Sequence, residues 1–434
     1  MKRAWLLALC ALPVIVPAAE GGFTKLTKQP AVRVALQHLR EDDARTLAEQ
    51  IAITQIPAPP FKEQARAQDF AARLRTAGLT DVTIDATGNV IGKRPGSGRG
   101  PLLVVSAHLD TVFPEGSDIS VKQKDGRHSG RGIIDDSRGL AAVLSVLRAM
   151  ETARLRTIGD VWFVGTVGEE ALGNLRGVKA LFAEHPHIDA FISVDGVDAP
   201  EQVKGGKPGI VTQATGSRRW EFTFTGPGGH SFGNFGNPSA AHALGRAVAR
   251  IADLRTPADP KTTFNVGVIS AGTAITAIAS EARMQVDLRS NSATELAALE
   301  KQLQDIVDQA VAEENIRWSS SALRVERTLV GDRPASTATR DHAVADAAVA
   351  AYRALGLPEP TLDFASTDSN VPLGLGIPAA TLNGGGIGDK AHSSDEWYEH
   401  RDAWQGPQIL LLTTLRLVGI AGNVKPSLKV RKDR

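Results

Sequence analysis

Three almost uniformly apolar runs, separated by helical patterns, constrain the fold of this chain more than any other feature. The runs lie in PLLVVSAHLD, VWFVGTV and AFISVDG, and the segments SRGLAAVLSVLRAM and LRGVKALFAEH between them space their apolar residues as amphipathic helices do. A strand that is apolar on both faces must be covered on both faces. The sequence therefore predicts an α/β protein whose parallel or mixed sheet has helices on both faces.

The pattern changes near residue 213 and returns near residue 326. Between these points an alternating strand, a helix, two further strands and a long charged helix follow one another, which suits a small open sheet with two helices on one face. A chain of 434 residues is also too long for one compact core. We predict a catalytic domain in two parts, residues 35–212 and 326–422, an inserted α+β lid at residues 213–325, and a solvated basic tail at residues 423–434.

The first residues have the layout of a secretory signal peptide. Lys2 and Arg3 precede an apolar stretch that is too short to span a membrane, and small residues suited to cleavage follow near Ala18 or Ala19. We predict a signal peptide at residues 1–19 and export to a bacterial periplasm. The only cysteine, Cys10, lies in this segment, so the mature chain would have no thiol nucleophile and no zinc–thiolate site. A formal net charge of +1 gives no reason to expect nucleic acid or a membrane as a partner.

Polar side chains follow the apolar strands at the points where those strands end. Ligands bind open α/β sheets at the carboxyl ends of the strands, so these side chains are candidates for a shared site. A lone histidine or an acid pair is usually structural, and the argument depends on several of them converging on one edge. The candidates are His108, Asp110, Glu169, Glu170 and Asp195 after strands, Asp135 and Asp136 in the turn GRGIIDDSRG, and His392 in AHSSDEWY.

Two histidines and three carboxylates form a mixed nitrogen and oxygen donor set that suits zinc, with cobalt or manganese as substitutes. Two divalent cations held by three carboxylates leave a net positive site, able to deprotonate a bridging water and polarise a carbonyl. A further carboxylate must then accept the proton of that water. The adjacent acids Glu169 and Glu170 can divide these tasks, one as metal ligand and one as base.

The motifs SAHLDTV, GRGIIDDSRG, GTVGEEALG, SVDG and AHSSDEWY resemble, in order, the five blocks of a dinuclear zinc peptidase and deacylase family. That family includes peptidase T, carboxypeptidase G and succinyl-diaminopimelate desuccinylase, and the blocks SVDG and GTVGEEALG look closest to peptidase T. The resemblance runs from about residue 40 to about residue 420, around an inserted dimerisation domain. It implies a zinc-exopeptidase-like fold, two Zn²⁺ per subunit and a homodimer formed through the lid.

The resemblance also implies a role for each candidate. His108 and Asp195 would hold one metal, Glu170 and His392 the other, and Asp135 would bridge both. Glu169 would be the general base. Asp110 would not bind metal itself but would orient the ligand His108. Asp136 would follow the bridging ligand, often through a cis peptide bond in this family.

Three further residues match positions in the family pattern, each with an ordinary structural alternative. His230 in GPGGHSFGNFG matches a lid histidine that reaches the partner subunit's site to stabilise an oxyanion, and alternatively it is an exposed histidine in a glycine turn. Arg289 in VDLRS matches an arginine that binds a substrate carboxylate, or it forms a salt bridge at a strand end. Gly385 in NGGGIG matches a position where substrate approaches the backbone, or it is a loop glycine.

The function that the resemblance implies is hydrolysis of di- or tripeptides by a metal-activated water, of the aminopeptidase or dipeptidase type. An N-acyl-amino-acid amidohydrolase is the alternative within the same chemistry. A non-catalytic binding protein on the same fold is a third hypothesis, which predicts lost ligands or a lost base, whereas all five ligands and Glu169 are present.

Overall fold

The structure is a computed structural model that describes residues 23–336 and 342–431. The predicted signal peptide lies outside the described residues. Within the two described ranges, no helix is both long enough and apolar enough to cross a membrane.

The helices and strands are numbered in chain order. The helices are α1 (Pro30–Glu41), α2 (Asp43–Thr54), α3 (Gln64–Thr76), α4 (Ser137–Thr152), α5 (Arg176–Glu184), α6 (Pro200–Lys204), α7 (Ala240–Ala252), α8 (Ala293–Arg317), α9 (Ala343–Ala354), α10 (Asn370–Gly374) and α11 (Gln405–Val418). The strands are β1 (Asp81–Ile84), β2 (Val90–Arg94), β3 (Leu102–His108), β4 (Lys122–Lys124), β5 (Arg127–Ser129), β6 (Asp160–Thr166), β7 (Ala190–Val194), β8 (Gly209–Ala214), β9 (Gly216–Thr225), β10 (Gly229–His230), β11 (Thr262–Ala271), β12 (Ala277–Ile278), β13 (Glu281–Ser290), β14 (Arg324–Arg333), β15 (Thr361–Ala365), β16 (Ala379–Leu382), β17 (Ile387–Asp389) and β18 (Trp397–Glu399).

The large domain is built on a mixed eight-stranded sheet in the order β1-β2-β6-β3-β7-β16-β8-β15. Strands β6, β3, β7 and β16 run parallel to one another. Strand β2 is antiparallel to β6, β8 is antiparallel to β16, and β15 is parallel to β8. Side chains of β3 alternate between two cores: Leu103 and Val105 pack with α3, α4 and α11, and Val104 packs with α5 on the opposite face. Helices therefore cover both faces, and the predicted fold class is confirmed.

The inserted lid is a four-stranded antiparallel sheet in the order β11-β13-β9-β14, with α7 and α8 on one face. Alternate residues of β13 are buried against these helices, which leaves Asp287 and Arg289 on the opposite face. The predicted boundary at residue 325 lies inside β14, so the lid extends to Arg333. Strand β14 lies at the edge of the sheet, and half of its residues are exposed. Its sequence, RVERTLVGDR, is correspondingly polar, and the sequence pattern therefore does not predict a strand here.

A second small sheet, in the order β17-β18-β5-β4, brings the loop that carries His392 beside the turn that carries Asp135. His392 lies between β17 and β18, whose pairing fixes where this loop begins and ends.

The prediction of a solvated tail is wrong for residues 423–431. Val424 and Leu428 are buried, and the backbone N–H of Leu428 donates to the carbonyl oxygen of Leu417 at 3.2 Å. The backbone N–H of Arg431 donates to Asp189. Apolar residues placed between the basic ones allow this segment to pack on the large domain while its lysines remain in water.

Candidate metal centre

Three of the five predicted ligands lie at the carboxyl ends of three adjacent parallel strands. His108 is the last residue of β3, Asp195 directly follows β7, and Glu170 follows β6 by a short turn. Strand β3 pairs with both β6 and β7, so the three strand ends meet at one edge of the sheet.

Asp135 lies between the two predicted histidine ligands. Its Oδ1 is 2.9 Å from His108 Nε2, and its Oδ2 is 2.9 Å from His392 Nε2. His392 Nε2 is also 2.9 Å from Glu170 Oε1. Each carboxylate oxygen of Asp135 thus faces a different histidine, which is the arrangement that a bridging ligand requires.

The donor atoms fit divalent cations. Ligand atoms of His108, Asp135 and Glu170 lie within 4.8 Å of one another, and so do those of His108, Asp136 and Asp195. Burial, reinforced by the negative charge of Asp135, raises the pKa of Asp195 to about 7. Carboxylates crowded into a buried space oppose one another's ionisation unless cations neutralise them, and imidazole and carboxylate are the usual ligands of zinc and related metals.

The turn that carries Asp135 is held from both sides. The peptide bond between Asp135 and Asp136 is cis, and the Asp136 carboxylate accepts hydrogen bonds from the backbone N–H of His108 and of Gly139, both at 3.0 Å. On the other side, buried Glu396 accepts from the backbone N–H of Gly132 at 2.9 Å and of Ile134 at 2.8 Å.

Glu396 was missed by the sequence reasoning, although it stands four residues after His392 in AHSSDEWY. Its carboxylate joins the loop of one predicted ligand to the turn of another. The acidic pair DE in that motif was the available signal, but nothing in its spacing indicates which of the two acids turns inward.

Asp110 contacts the glutamate pair as well as His108. Its Oδ1 and Oδ2 accept from the backbone N–H groups of Glu169 at 3.0 Å and Glu170 at 2.8 Å. His108 Nδ1 is 3.0 Å from the backbone carbonyl oxygen of Asp110 but 3.6 Å from its carboxylate. The backbone of Asp110 therefore makes the shorter contact with His108, and its carboxylate fixes the backbone that carries the predicted base and its neighbouring ligand.

Glu169, the predicted base, is buried and forms an ion pair with Arg333, with Arg333 Nη1 at 3.0 Å from Glu169 Oε1. Burial raises the pKa of Glu169 well above its ordinary value, and the negative charge of Glu170 adds to this while Arg333 opposes it. Arg333 was also missed by the sequence reasoning. No motif marks it, because it comes from the far end of β14.

A cavity of about 490 Å³ opens over the site. Its lining includes predicted metal ligands, Glu169 and three arginines. The ligands on this lining are Asp135, Glu170, Asp195 and His392, and the arginines are Arg219, Arg289 and Arg333. The predicted substrate residue Arg289 therefore faces the same cavity as the predicted base.

The buried residues His108 and Asp110 are not on the lining of this cavity, and neither are two other predicted site residues, His230 and Gly385. His230 lies on the exposed strand β10, where its Nδ1 accepts from the backbone N–H groups of Phe232 and Gly233. Gly385 has a φ of +85°, and a Cβ there would lie 2.3 Å from the carbonyl oxygen of Ala403. Close packing of the backbone accounts for glycine at residue 385.

The comparisons with known proteins agree with this geometry. Residues 104–416 match the description Peptidase family M20/M25/M40. A succinyl-diaminopimelate desuccinylase of Nitrosospira multiformis is 25% identical over 327 residues, which cover 72% of this chain and 82% of that protein.

Two solved structures share the fold. A tripeptidase of Staphylococcus aureus has a TM-score of 0.70 at 23% identity and covers 86% of this chain and 97% of its own. A dinuclear metal-binding peptidase of the M20 family from Bacillus subtilis has a TM-score of 0.63 at 16% identity, with 87% and 99% covered.

Fold and site together define a metal-dependent hydrolase with a two-part α/β domain and an inserted lid. The chain belongs to peptidase family M20/M25/M40. The resemblance predicted from the five motifs is confirmed.

Proposed function

We propose that this protein is a dizinc exopeptidase that cleaves di- and tripeptides, of the aminopeptidase or dipeptidase type. The observation that supports this most directly is Asp135, whose two carboxylate oxygens each lie 2.9 Å from a different histidine, on a cavity that Glu169 also lines. Co²⁺ and Mn²⁺ are the expected substitutes for zinc, because they accept the same nitrogen and oxygen ligands.

The residues of the chain divide the work of amide hydrolysis. Zinc ions held by His108, Asp135, Glu170, Asp195 and His392 would supply a water of lowered pKa and polarise the scissile carbonyl. Glu169 accepts a proton from the attacking water and passes it to the departing amine. Arg333 and the backbone hydrogen bonds to Asp110 hold Glu169 in place for both transfers.

We also propose that the protein is a homodimer formed through the lid, in which His230 acts in the partner subunit's site. The lid exposes large apolar side chains near His230, with Phe232 89% exposed and Ile275 99% exposed. Large exposed apolar side chains that are grouped on one surface are typical of interaction sites. His230 would then donate a hydrogen bond to the developing oxyanion.

Mixing two inactive variants tests this role. His230→Ala and Glu169→Gln homodimers should each be nearly inactive, but a heterodimer has one site with an intact Glu169 and an intact His230. Random subunit exchange should restore about a quarter of wild-type activity. If exchange occurs and no activity returns, His230 does not act across subunits.

A deacylase is the second candidate, because a relative that matches over 82% of its own length is a desuccinylase. Both candidates use the same water and the same base, and they differ in whether the group on the acyl side ends in a free amine. That difference depends on the cavity walls and not on the metal ligands.

A matched substrate panel separates the two candidates. The mature, zinc-loaded protein is assayed with free di- and tripeptides and with the same peptides acylated at the amino terminus. Cleavage of the free peptides alone supports the peptidase, and cleavage of the acylated compounds alone replaces it with the deacylase. Metal analysis of protein purified without added metal identifies the metal that is bound in the cell.

Export to the periplasm remains a proposal that depends on residues 1–19. Fractionation of cells expressing the full chain should release the protein with the periplasm, shortened near Ala18 or Ala19. Recovery of the uncut chain in the cytoplasm would contradict it.

A further inference from the structure

We propose that Arg219 supplies a second carboxylate site beside Arg289, the arginine that the family resemblance assigns to a substrate carboxylate. The departing amino acid would then have an acidic side chain and be aspartate or glutamate. This inference rests on the proposed amide hydrolysis and names its substrate class. The substrate would be an amide whose carbonyl lies over the predicted metal ligands and whose leaving group extends toward the lid.

The two arginines are placed side by side by strand pairing. Arg219 on β9 is directly opposite Asp287 on β13, and Arg289 follows Asp287 by two residues, on the same face of the sheet. Arg289 Nε is 2.7 Å from Asp287 Oδ2, and Arg219 Nε is 3.3 Å from Asp287 Oδ1. Both arginines line the cavity, and the carboxylate of Asp287, which binds both, holds the two guanidinium groups next to each other on the cavity wall.

Arg219 is fixed next to the predicted metal ligands. Its Nη1 donates to the carbonyl oxygen of Ala171 at 2.8 Å, and Ala171 directly follows Glu170. The side chain of Arg219 is 19% exposed, whereas that of Arg289 is 43% exposed. One guanidinium group is therefore held in place, and the other has room to follow a ligand.

The charge on the cavity wall is not balanced. Two divalent cations would neutralise the negative charges of the four carboxylates that line the cavity. The positive charges of the three arginines are then opposed, among the described residues, only by the negative charge of Asp287. Buried Arg333 Nε has no hydrogen-bond partner in the described part of the chain. Burial lowers the pKa of Arg219, and the nearby charges of Arg333 and Arg289 lower it further. Two negative groups on the ligand would restore the balance.

A departing aspartate or glutamate has these two groups. Its α-carboxylate would bind Arg289 and its side-chain carboxylate would bind Arg219, each through the paired N–H donors that arginine presents. Asparagine and glutamine have the same size and shape but only one negative charge. The comparison of an acid with its amide therefore measures the contribution of Arg219, which binds the side-chain carboxylate.

The test compares isosteric pairs of substrates: Gly-Asp with Gly-Asn, Gly-Glu with Gly-Gln, and the N-acetyl derivatives of the same four leaving amino acids. The protein is used zinc-loaded and in the oligomeric state in which it is purified. We expect kcat/KM for each acid to exceed that for its amide by about tenfold or more, since a charge-assisted hydrogen bond is lost with the amide. Arg219→Gln should lower this ratio about tenfold, and Arg289→Gln should lower kcat/KM for both members of a pair.

Arg218→Gln is the matched control. Arg218 is the neighbour of Arg219 in the chain, but it pairs with Asp332 and does not line the cavity. The acid-to-amide ratio should therefore be unchanged in this variant. A wild-type ratio near one, or an equal drop in the ratio with Arg218→Gln, would overturn the proposal.

Binding of the free amino acids gives a readout that does not depend on turnover. Calorimetry should detect tighter binding of L-aspartate than of L-asparagine to the wild type, and less difference with Arg219→Gln. If Arg219→Gln does not fold, the acid-to-amide ratios of Arg219→Lys and of the wild type test the proposal instead. Cleavage of acids and amides at equal rates refutes this inference alone, whereas cleavage of no member of the panel refutes the proposed hydrolysis.

Discussion

Arg333 Nη1 and Glu169 Oε1 are 3.0 Å apart, and both side chains are buried. Arg333 also donates to the backbone carbonyl oxygen of Glu169 and, at 3.0 Å, to Ser366 Oγ. It is the last residue of β14, the strand that returns from the lid to the large domain. The position of the proposed base therefore depends on the junction between the two domains.

Removal of Arg333 should lower kcat more than it changes KM, because a misplaced base slows the chemical step. We expect Arg333→Gln to lose about 10- to 100-fold in kcat, with partial recovery in Arg333→Lys. Steady-state kinetics on one cleaved peptide measures this. A raised KM with unchanged kcat would mean that Arg333 binds the substrate and does not position Glu169.

Glu169→Gln should keep its metal and lose at least about a hundredfold in turnover, since the amide cannot accept the proton. Metal analysis and kinetics of the same preparation test both parts. Turnover close to that of the wild type would remove Glu169 from the role of base, and loss of metal would make it a ligand.

Glu396→Ala should weaken metal binding without touching a proposed ligand. The backbone N–H groups of Gly132 and Ile134 would lose their acceptor, and each buried N–H group left unpaired costs about 1–3 kcal/mol. We expect a lower Tm and a loss of about 10- to 100-fold in zinc affinity, measured by equilibration with buffered zinc.

Asp395→Ala is the control for this variant, because Asp395 is the neighbour of Glu396 in the chain and its side chain is 73% exposed. Glu396→Gln keeps one side-chain oxygen as an acceptor and should lie between the wild type and Glu396→Ala. Wild-type zinc affinity in Glu396→Ala would show that the turn holds its shape without this carboxylate.

Asp198→Asn should gain stability over the wild type as the pH rises. Asp198 Oδ1 accepts from the backbone N–H of Gly209 and from Asn383 Nδ2, and burial raises the pKa of this carboxyl to about 6. An acid whose pKa is raised on folding favours the folded state at low pH. That contribution is lost as the pH rises from about 4 through about 6.

Asparagine does not ionise, so the difference in unfolding free energy between Asp198→Asn and wild type should grow by roughly 2 kcal/mol between pH 4 and pH 7. Denaturant titrations of both proteins at several pH values measure the difference. A difference that stays constant over this range would contradict the assignment, because charges elsewhere are common to both proteins.

The sequence by itself determined the fold class and the chemistry of the site. Apolar strands such as VWFVGTV must be buried on both faces, and His108, Glu169, Glu170 and Asp195 stand directly after such strands, so the spacing of the chain alone predicted that they share an edge. The structure brings these residues together with Asp135 and His392 around one cavity and its buried ligands.

Only the tertiary structure decided which residues support that site. Glu396 and Arg333 are distant in the chain from the residues that they contact. Which backbone N–H or carboxylate each of them pairs with depends on its position in the folded protein and leaves no local sequence pattern. The same holds for Arg219, which strand pairing places on the cavity wall beside Arg289. The spacing of apolar residues encodes which face of an element is buried, whereas contacts between distant polar groups arise only once those elements have packed.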